Sequence, residues 1–425
     1  MEGEGAAAAP PHAGGRLWHH RDFLKFWTGD TITQFTGQVT GLALPTIAVV
    51  TLDASGFQLG VLGALGVIAF PLLGLFVGVW MDRMKRRPVM IAADMIEAGM
   101  LATIPLAYYF GVLSIYQLFV VAAVTGTCTL FFDVAYQSYL PSLVAKEDVI
   151  EGNQKLQVSA SSAQVVGPAV ASGLMGLMGA AMSVAADVVG TVASALMLAW
   201  IGKPEQRPRS TGPDGGGHFF AEMKEGIRVI TGNSLLWTQA GSTATANLGF
   251  SILFVALLLY AYRVMLITPG EIGIPFSIGA VGFLVGALAS SRITARIGVG
   301  RTLAAAAASQ ILVLTALLGT GAFKLEVLGI ALFVSYLGIP IYNINMVSLR
   351  QIITPNRLQG RMNATMRTIV WGTQPLGSFI GGILVTVLGI VPTFVAGAVV
   401  SALSFFWIAL GPIGKLKKMP EPAGD

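Results

Sequence analysis

Charge is scarce in this chain, and cysteine and histidine are scarcer still. Only 11% of the 425 residues are Asp, Glu, Lys or Arg, whereas soluble domains carry about 25%. Cys128 is the single cysteine, which excludes an intrachain disulfide. The four histidines lie outside every long apolar run, and no HExxH, Walker or Rossmann pattern is present. These absences argue against a water-soluble domain, a disulfide framework and a membrane enzyme built on a metal or a nucleophile.

Long apolar runs are what the chain has in abundance. Apolar residues make up 54% of it, and a membrane-spanning helix needs roughly 20 of them in succession. None of the runs alternates as a strand does, so the sequence predicts an all-α polytopic membrane protein with twelve transmembrane helices. The predicted spans are 23–50, 57–81, 89–110, 114–137, 150–177, 180–201, 233–262, 270–291, 301–322, 325–349, 360–388 and 390–411.

Basic residues are distributed unevenly among the loops between these spans. When the chain is threaded from a cytosolic N-terminus, only Arg263 and Lys324 of the 26 Lys and Arg residues fall on the outer side. Inner loops of membrane proteins are enriched in Lys and Arg. The sequence therefore predicts that both termini are cytosolic. The net charge of +5 reflects the inner loops and requires no nucleic-acid partner.

The second half of the chain repeats features of the first. Three features recur at offsets of 207 to 210 residues: Gly74 and Gly78 with Gly282 and Gly286, Pro168 with Pro375, and Asn153 with Asn363. Parallel six-helix halves are one known plan of transporters. We therefore predict bundles at 23–201 and 233–412, joined by a cytosolic linker at 202–232 that contains an amphipathic helix, and tails at 1–22 (flexible) and 413–425.

A basic turn between the second and third spans has the pattern Gly78-x-x-x-Asp82-Arg83-x-x-Arg86-Arg87. This pattern resembles the loop motif between helices two and three of the major facilitator superfamily. Shorter stretches are similar to its bacterial drug and siderophore exporters of the macrolide-efflux and enterobactin-exporter type: Phe132-Asp133, Leu140-Pro141, Gly167-Pro168, Glu225-Gly-Ile-Arg228, Arg361-Met-Asn363 and Pro375-Leu-Gly377. The resemblance implies two pseudo-symmetric six-helix bundles, transport by alternating access and no cofactor besides a proton gradient.

The resemblance also implies that the basic turn is a latch that forms when the cytosolic side is closed. Asp82 would accept hydrogen bonds from the start of helix eleven near 359–361, because a carboxylate is favoured at a helix N-terminus. Arg86, one helical turn after Asp82, would pair with Asp133 at the inner end of helix four. The alternative is that the motif only anchors the topology. The remaining members of the predicted latch are Gly78, Arg83 and Arg87.

Carboxylates inside the spans are candidates for proton coupling, because ionisable groups are costly in a bilayer and usually functional there. The candidates are Asp30 in helix one and Asp94 and Glu97 in helix three, all in the first half. A carboxyl group buried away from water favours its neutral form and can exchange protons. Alternatively, Asp30 pairs with Lys25 or with the network of charged groups at the inner face, and the two helix-three acids pair with arginines of the basic turn. Asp187, near the outer end of helix six, is expected to be wetted or capped.

Helix five and the polar residues inside the spans supply the candidate gate and cavity. Gly167 and Pro168 in helix five are similar to an antiporter motif. Because a proline bends its helix and small residues permit close packing, we predict that this segment is a flexible gate. The alternative is ordinary packing of small residues. The candidate cavity residues are Gln34, Gln38, Gln157, Gln164, Asn247, Phe250, Asn343, Arg367 and Trp371. Each of them can instead be a packing residue or an interhelical hydrogen bond, and the arginine requires an anion, a carbonyl group or water.

Together these features predict a secondary active transporter of the bacterial cytoplasmic membrane. The expected activity is proton-coupled antiport that exports an amphipathic small molecule such as an antibiotic, drug or siderophore. An importer or lipid-type flippase on the same scaffold, and a transport-dead sensor, stay open as alternatives. We expect no enzymatic activity. The expected partners are the bilayer and the small-molecule substrate, without nucleic acid or metal, and the expected oligomeric state is a monomer.

Overall fold

The computed structural model of this chain describes residues 16–81, 83–205, 217–319 and 321–420. Helices account for nearly all of these residues, and the described part of the chain contains no strand. We call the short helix Gly217–Gly232 the linker helix. The twelve long helices are α1 (Arg21–Thr46), α2 (Gly56–Val67 and Ala69–Met81), α3 (Arg86–Tyr109), α4 (Ile115–Leu143), α5 (Val149–Met178), α6 (Ala180–Ala199), α7 (Ser234–Leu259), α8 (Gly273–Ile297), α9 (Val299–Ala308, continued by Ser309–Leu318), α10 (Lys324–Ile353), α11 (Asn356–Leu388) and α12 (Ile390–Ala402 and Ser404–Leu410).

Ten of these helices are long and apolar enough to cross a bilayer, counted over the described residues. The two that fall short in apolar composition are α1 and α5. Both carry amide side chains in mid-helix, Gln34 and Gln38 in α1 and Gln157 and Gln164 in α5. The predicted all-α polytopic fold is confirmed. Both helices belong to the first half, and their amides Gln38 and Gln164 line the same side of the cavity described below.

The two six-helix halves match each other in backbone detail. Helices α1 and α7 both end in a π-helical turn, and each turn is followed by a non-glycine residue with positive φ, Asp53 at 47° and Leu266 at 52°. Gly179 and Gly389, with φ of 81° and 91°, turn the chain between α5 and α6 and between α11 and α12. Such conformations are uncommon outside glycine. Their recurrence at equivalent points of the two halves agrees with the repeat seen in the sequence.

Within each half, small residues let neighbouring helices approach closely. Gly190 of α6 lies against the side chain of Thr36 in α1. In the second half, Gly282 and Gly286 of α8 lie against the backbone of α10 at Phe333 and Leu337. Helix association in lipid depends on packing of this kind, because the bilayer removes most of the hydrophobic driving force between helices.

Two helix pairs join the halves, α2 with α11 and α5 with α8. A methyl group added at Gly60 of α2 would come within 2.5 Å of the backbone oxygen of Ser378 and 2.7 Å of the Cα of Gly382 in α11. A methyl group added at Gly273, at the start of α8, would come still closer to the carbonyl oxygen of Pro168 in α5. Backbone therefore meets backbone at both junctions between the halves.

The linker helix packs against the second half. Ile230, near its end, is 1% exposed and lies in one apolar cluster with Leu236 of α7 and Met362 and Met366 of α11. Asn233 caps the start of α7, where its side-chain oxygen accepts hydrogen bonds from two backbone N–H groups. The helix predicted in the linker is therefore present. It packs against the second half, at the face of the molecule where α6 and α12 end.

Substitution of Gly60 tests the α2–α11 junction. We expect Gly60→Ala to lower the free energy of unfolding by about 1–3 kcal/mol, because the added methyl group overpacks a backbone contact. The matched control is Gly99→Ala in α3, where an added Cβ meets no atom within 4 Å; alanine there is expected to be neutral or stabilising. Thermal unfolding of the purified proteins in detergent measures the difference, and equal midpoints for the two variants would contradict the assigned contact.

Candidate functional site

Five carboxylates lie more than one turn inside the described helices of the first half: Asp30, Asp94, Glu97, Asp133 and Asp187. Three of them, in α1, α3 and α6, are 3% exposed. They interact electrostatically with one another: the α1 acid with the α4 acid, and Glu97 with its three neighbours in α3, α4 and α6. Within the described residues, none of the five is in contact with a Lys or Arg side chain. We call this group the carboxylate cluster.

Asp30 lies among neutral polar groups. The Gln34 amide nitrogen is 3.5 Å from one carboxylate oxygen, and the Tyr136 hydroxyl of α4 lies beside the same side chain. The other carboxylate oxygen is buried and has no hydrogen-bond partner among the described residues. The alternative in which Asp30 pairs with Lys25 is wrong, because that lysine binds Asp22 at 3.1 Å.

Asp94 faces Ser194 of α6. The alternative in which Asp94 and Glu97 pair with arginines of the basic turn is not seen among the described side chains. Arg87 instead donates a hydrogen bond to the carbonyl group of Ala199 at the end of α6, which directs its guanidinium away from the interior of the bundle.

The expectation that Asp187 is wetted or capped at a helix end is wrong. Its side chain is buried between α6 and α1, where it faces the hydroxyl groups of Thr36 and Thr40. Sequence reasoning missed this because a hydropathy pattern locates a residue along a helix but does not fix the direction in which the helix turns its side chain. The threonines four residues apart on α1 were the available signal, since i and i+4 share one face of a helix.

The basic turn contacts an acid at the start of the linker, directly after the first half. The Glu205 carboxylate accepts hydrogen bonds from the backbone N–H groups of Arg86 and Arg87 at 2.7 and 3.0 Å. The Arg86 guanidinium also lies 3.9 Å from Glu205. In this conformation Arg86 therefore contacts Glu205, which occupies the start of α3, where free N–H groups and the helix dipole favour a carboxylate. The pairing of Arg86 with Asp133, expected when the cytosolic side is closed, stays a prediction.

The other members of the predicted latch either make few contacts or lie outside the described residues. Arg83 is exposed, and an added Cβ at Gly78 would meet no atom within 4 Å. Asp82 lies outside the described residues, as does the side chain of Arg361 at its predicted contact on α11. The predicted contact between Asp82 and the start of α11 stays a prediction.

A cavity of about 350 Å³ lies between the halves. Gln38 of α1 and Gln164 and Pro168 of α5 line one side, and Phe254, Phe276 and Tyr336 are among the aromatic residues that line the other. A second cavity of about 500 Å³ adjoins it and shares Phe254. The candidates Asn247, Phe250 and Asn343 line this second cavity. None of the lining residues of either cavity carries a charge.

The four remaining cavity candidates have other neighbours. The Gln34 amide faces Asp30, and the Gln157 amide donates to the Ser161 hydroxyl of its own helix at 3.3 Å. Arg367 lies over the rings of Phe70 and Trp371, 5.8 and 5.5 Å from their centroids. Because those rings belong to α2 and α11, the arginine lies at the junction between the halves, and it interacts electrostatically with Asp133.

The predicted gate in α5 lies at the second junction. Gly167 lies against the side chain of Gln38, and the Pro168 carbonyl group faces Gly273 of α8. One turn further, the Ser172 hydroxyl donates to the carbonyl group of Pro269 at 2.9 Å. The segment of α5 that contains Gly167 and Pro168 therefore forms part of the cavity wall and of the contact between halves.

The halves also meet at the face opposite to the ends of α6 and α12, which we call the far face. Arg263 binds Asp53 at 2.6 Å and the Ala54 carbonyl group at 2.8 Å. The hydroxyl groups of Thr46 and Tyr262 are 2.5 Å apart. Both contacts join the end of α1 to the end of α7. Sequence analysis did not name them as site residues, although Arg263 stood out as one of two basic residues on this side.

Comparison with known proteins agrees with this architecture. The family model of the Major Facilitator Superfamily matches residues 26–372. The chain belongs to the major facilitator superfamily. It is also 26% identical over 217 residues to the macrolide efflux protein A of Streptococcus pyogenes, covering 51% of this chain and 52% of that protein. The macrolide efflux protein A of Enterococcus faecalis is 28% identical over 175 residues, covering 41% and 53%. The chain spans about half the length of these curated relatives.

Solved structures of superfamily transporters share the fold over nearly the whole chain. The nucleoside transporter NupG superposes with a TM-score of 0.68 at 14% identity, covering 92% of this chain and 98% of that one. A bacterial homologue of the iron transporter ferroportin, in an inward-facing state, superposes with a TM-score of 0.70 at 17% identity, covering 92% and 99%. The family match and the apolar helices together make this chain a multi-pass membrane protein of the superfamily.

The role of Glu205 can be tested by removing its carboxylate. We expect Glu205→Ala to lower the free energy of unfolding by about 1–3 kcal/mol, because charge-assisted hydrogen bonds to two backbone N–H groups are lost. Glu147→Ala is the control, since Glu147 is exposed on the same face of the molecule. Thermal unfolding in detergent compares them. A Glu205 variant as stable as the control would show that the N-terminus of α3 does not depend on this cap.

Proposed function

We propose that this transporter is a proton-coupled antiporter that exports an amphipathic small molecule by alternating access. One observation carries the proposal: a single face of α1 presents Asp30, Gln34 and Gln38 at successive turns. Asp30 belongs to the carboxylate cluster, Gln34 contacts Asp30, and Gln38 lines the cavity between the halves. Proton binding and substrate binding would therefore act on the same helix.

The substrate class follows from the walls of the two cavities. They are lined by aromatic and aliphatic side chains with a few amide and hydroxyl groups, such as Gln164, Asn247 and Tyr342. Apolar walls with few hydrogen-bonding groups suit a ligand that is largely apolar and carries scattered polar groups. The names of the macrolide efflux relatives make a macrolide antibiotic the first compound to test.

The energy for export would come from protons entering the cell. A membrane potential contributes about 2.3 kcal/mol per charge per 100 mV, which corresponds to about a 50-fold concentration ratio at equilibrium. In this scheme the neutral form of the carboxylate cluster belongs to one half of the cycle and the ionised form to the other. We propose no cofactor besides this gradient.

Alternating access would be a rocking of the two halves about the α2–α11 and α5–α8 junctions. In the conformation described above, the halves are joined at the far face by the contacts of Arg263 and Tyr262. We propose that the far face points outward from a bacterial cytoplasmic membrane, with both termini in the cytosol and the protein acting as a monomer. The basic turn, with Asp82, Arg83 and Arg87, is proposed to latch the opposite face when the far face opens.

Replacement of Asp30 tests the coupling. When a proton gradient is imposed on inside-out vesicles that contain the wild-type protein, we expect the vesicles to accumulate a radiolabelled macrolide. Asp30→Asn is expected to lose gradient-driven accumulation, by up to about 50-fold at 100 mV for one coupled charge, while counterflow exchange of macrolide continues. The control is Glu147→Gln, a carboxylate exposed on the surface, which is expected to accumulate as wild type does.

The other outcomes of that experiment separate the alternatives. Accumulation that persists after the gradient is collapsed would contradict antiport. Uptake only into right-side-out vesicles would favour an importer, and flip of a labelled lipid without macrolide transport would favour a flippase. If the wild-type protein is folded in the membrane and moves none of these compounds, the result would favour a sensor.

The far-face contact gives a test of alternating access. We expect Arg263→Ala to raise the population that is open at the far face about fivefold, the effect of losing roughly 1 kcal/mol. Distances between spin labels at Val112→Cys and Phe323→Cys, in far-face loops of the two halves and in a Cys128→Ala background, measure this population. Arg296→Ala, an exposed arginine at the opposite face, is the control. Unchanged distances in both variants would contradict a role for Arg263 in closure.

A further inference from the structure

A group of carboxylate and hydroxyl oxygen atoms lies between α1 and α6 of the first half, separate from the surroundings of Asp30. The Asp187 carboxylate of α6 faces the hydroxyl groups of Thr36 and Thr40 in α1, and Thr191 lies beside it one turn along α6. Asp187 and Thr191 are 3% exposed and Thr40 is 8% exposed. The close approach depends on Gly190, whose missing side chain leaves room for the Thr36 hydroxyl.

Two of these hydroxyl groups are unsatisfied. Thr36 Oγ1 and Thr40 Oγ1 are buried beside the Asp187 carboxylate and interact with it, but neither meets the distance and angle of a hydrogen bond with this or any other described group. Other threonines of α1 behave differently: Thr33 and Thr46 donate to carbonyl groups of the preceding turn at 3.2 and 2.6 Å. Buried polar groups without partners are rare in folded proteins and call for an explanation. Here both unsatisfied oxygens face the same carboxylate.

The electrostatic surroundings favour a cation at this point. Asp94 and Glu97 of α3 interact electrostatically with Asp187, and Cys128 of α4 lies near those two acids. Among the described residues, no Lys or Arg side chain contacts Asp187. Hydroxyl and carboxylate oxygens are hard ligands, of the type that hard cations select.

The donor set fits a single positive charge. The described residues contain no group of three or more His, Cys, Asp or Glu side chains spaced to hold a metal ion, which argues against a divalent or transition metal. One carboxylate with neutral hydroxyl groups balances one charge. The tight contact of α1 with α6 at Gly190 favours a small ion.

We propose that Asp187, Thr36 and Thr40, with Thr191 beside them, form a binding site for Na⁺. The site is distinct from Asp30, which faces Gln34 and Tyr136 instead. A bound Na⁺ would join α1 to α6 on the turn of α1 that lies next to Gln38. The inference goes beyond proton-coupled export and does not require it.

Ion-dependent stability of the full-length purified protein tests the site. At fixed pH and ionic strength, with N-methylglucamine chloride as the balancing salt, we expect the unfolding midpoint to rise saturably with NaCl, since a ligand that binds only the folded state stabilises it. KCl is expected to give no such rise. The double variant Thr36→Val/Thr40→Val, which keeps side-chain volume, is expected to need at least about tenfold more Na⁺ for the same rise.

The matched control is Thr127→Val in α4, where the hydroxyl group bonds only to the Ala123 carbonyl of its own helix at 2.7 Å; its Na⁺ response is expected to equal that of wild type. Thr40→Val alone carries the same test if the double variant is not recovered folded. A wild-type midpoint that ignores Na⁺, an equal response to K⁺, or an unchanged response in the valine variants would overturn the proposal.

Asp187→Asn separates a cation site from a proton site. We expect the Na⁺ response to disappear in this variant. If the wild-type midpoint depends on pH and not on Na⁺, the carboxylate binds only protons and the Na⁺ site is rejected. The assay uses neither a macrolide nor a proton gradient, so its failure leaves the proposed export activity standing, and a failure of export leaves the Na⁺ site standing.

Discussion

Contact of backbone with backbone, without side chains in between, holds the two halves of this transporter against each other. Gly60 on Gly382 and Gly273 on Pro168 set the separation of α2 from α11 and of α5 from α8. In lipid such contacts matter more than in water, because helices gain little from burying apolar surface that the bilayer already solvates. The width of the cavity between α1, α5, α7 and α8 follows from these two junctions.

Within that frame, α1 connects the interior of the first half to the cavity. One of its faces presents Asp30 to the carboxylate cluster and Gln38 to the cavity, and another presents Thr36 and Thr40 to Asp187. These polar groups explain why α1 is not among the ten described helices that are long and apolar enough to cross a bilayer.

The helices, their order and the duplication were predictable because each depends on local sequence, an apolar run or a glycine at a fixed offset. The partners of the charged side chains were not predictable from the sequence. Glu205 lies 119 residues from Arg86, and no periodicity links the two, so Asp133 was named in its place. Asp187 was assigned the wrong surroundings because its depth depends on the rotation of α6. The amides Gln38, Gln164 and Asn247 were recognisable as polar residues in apolar runs, whereas the direction in which Gln157 points required coordinates.

The two bonds that close the far face differ in how they respond to the medium. The Asp53 side chain is 93% exposed, and attraction between exposed charges is screened over about 8–10 Å at ordinary salt concentrations. The bond between Thr46 and Tyr262 is buried and beyond the reach of dissolved ions. In the proposed orientation, with the far face outside the cell, dissolved salt would weaken the first bond and leave the second unaltered. We therefore expect a saline environment to favour opening of the far face.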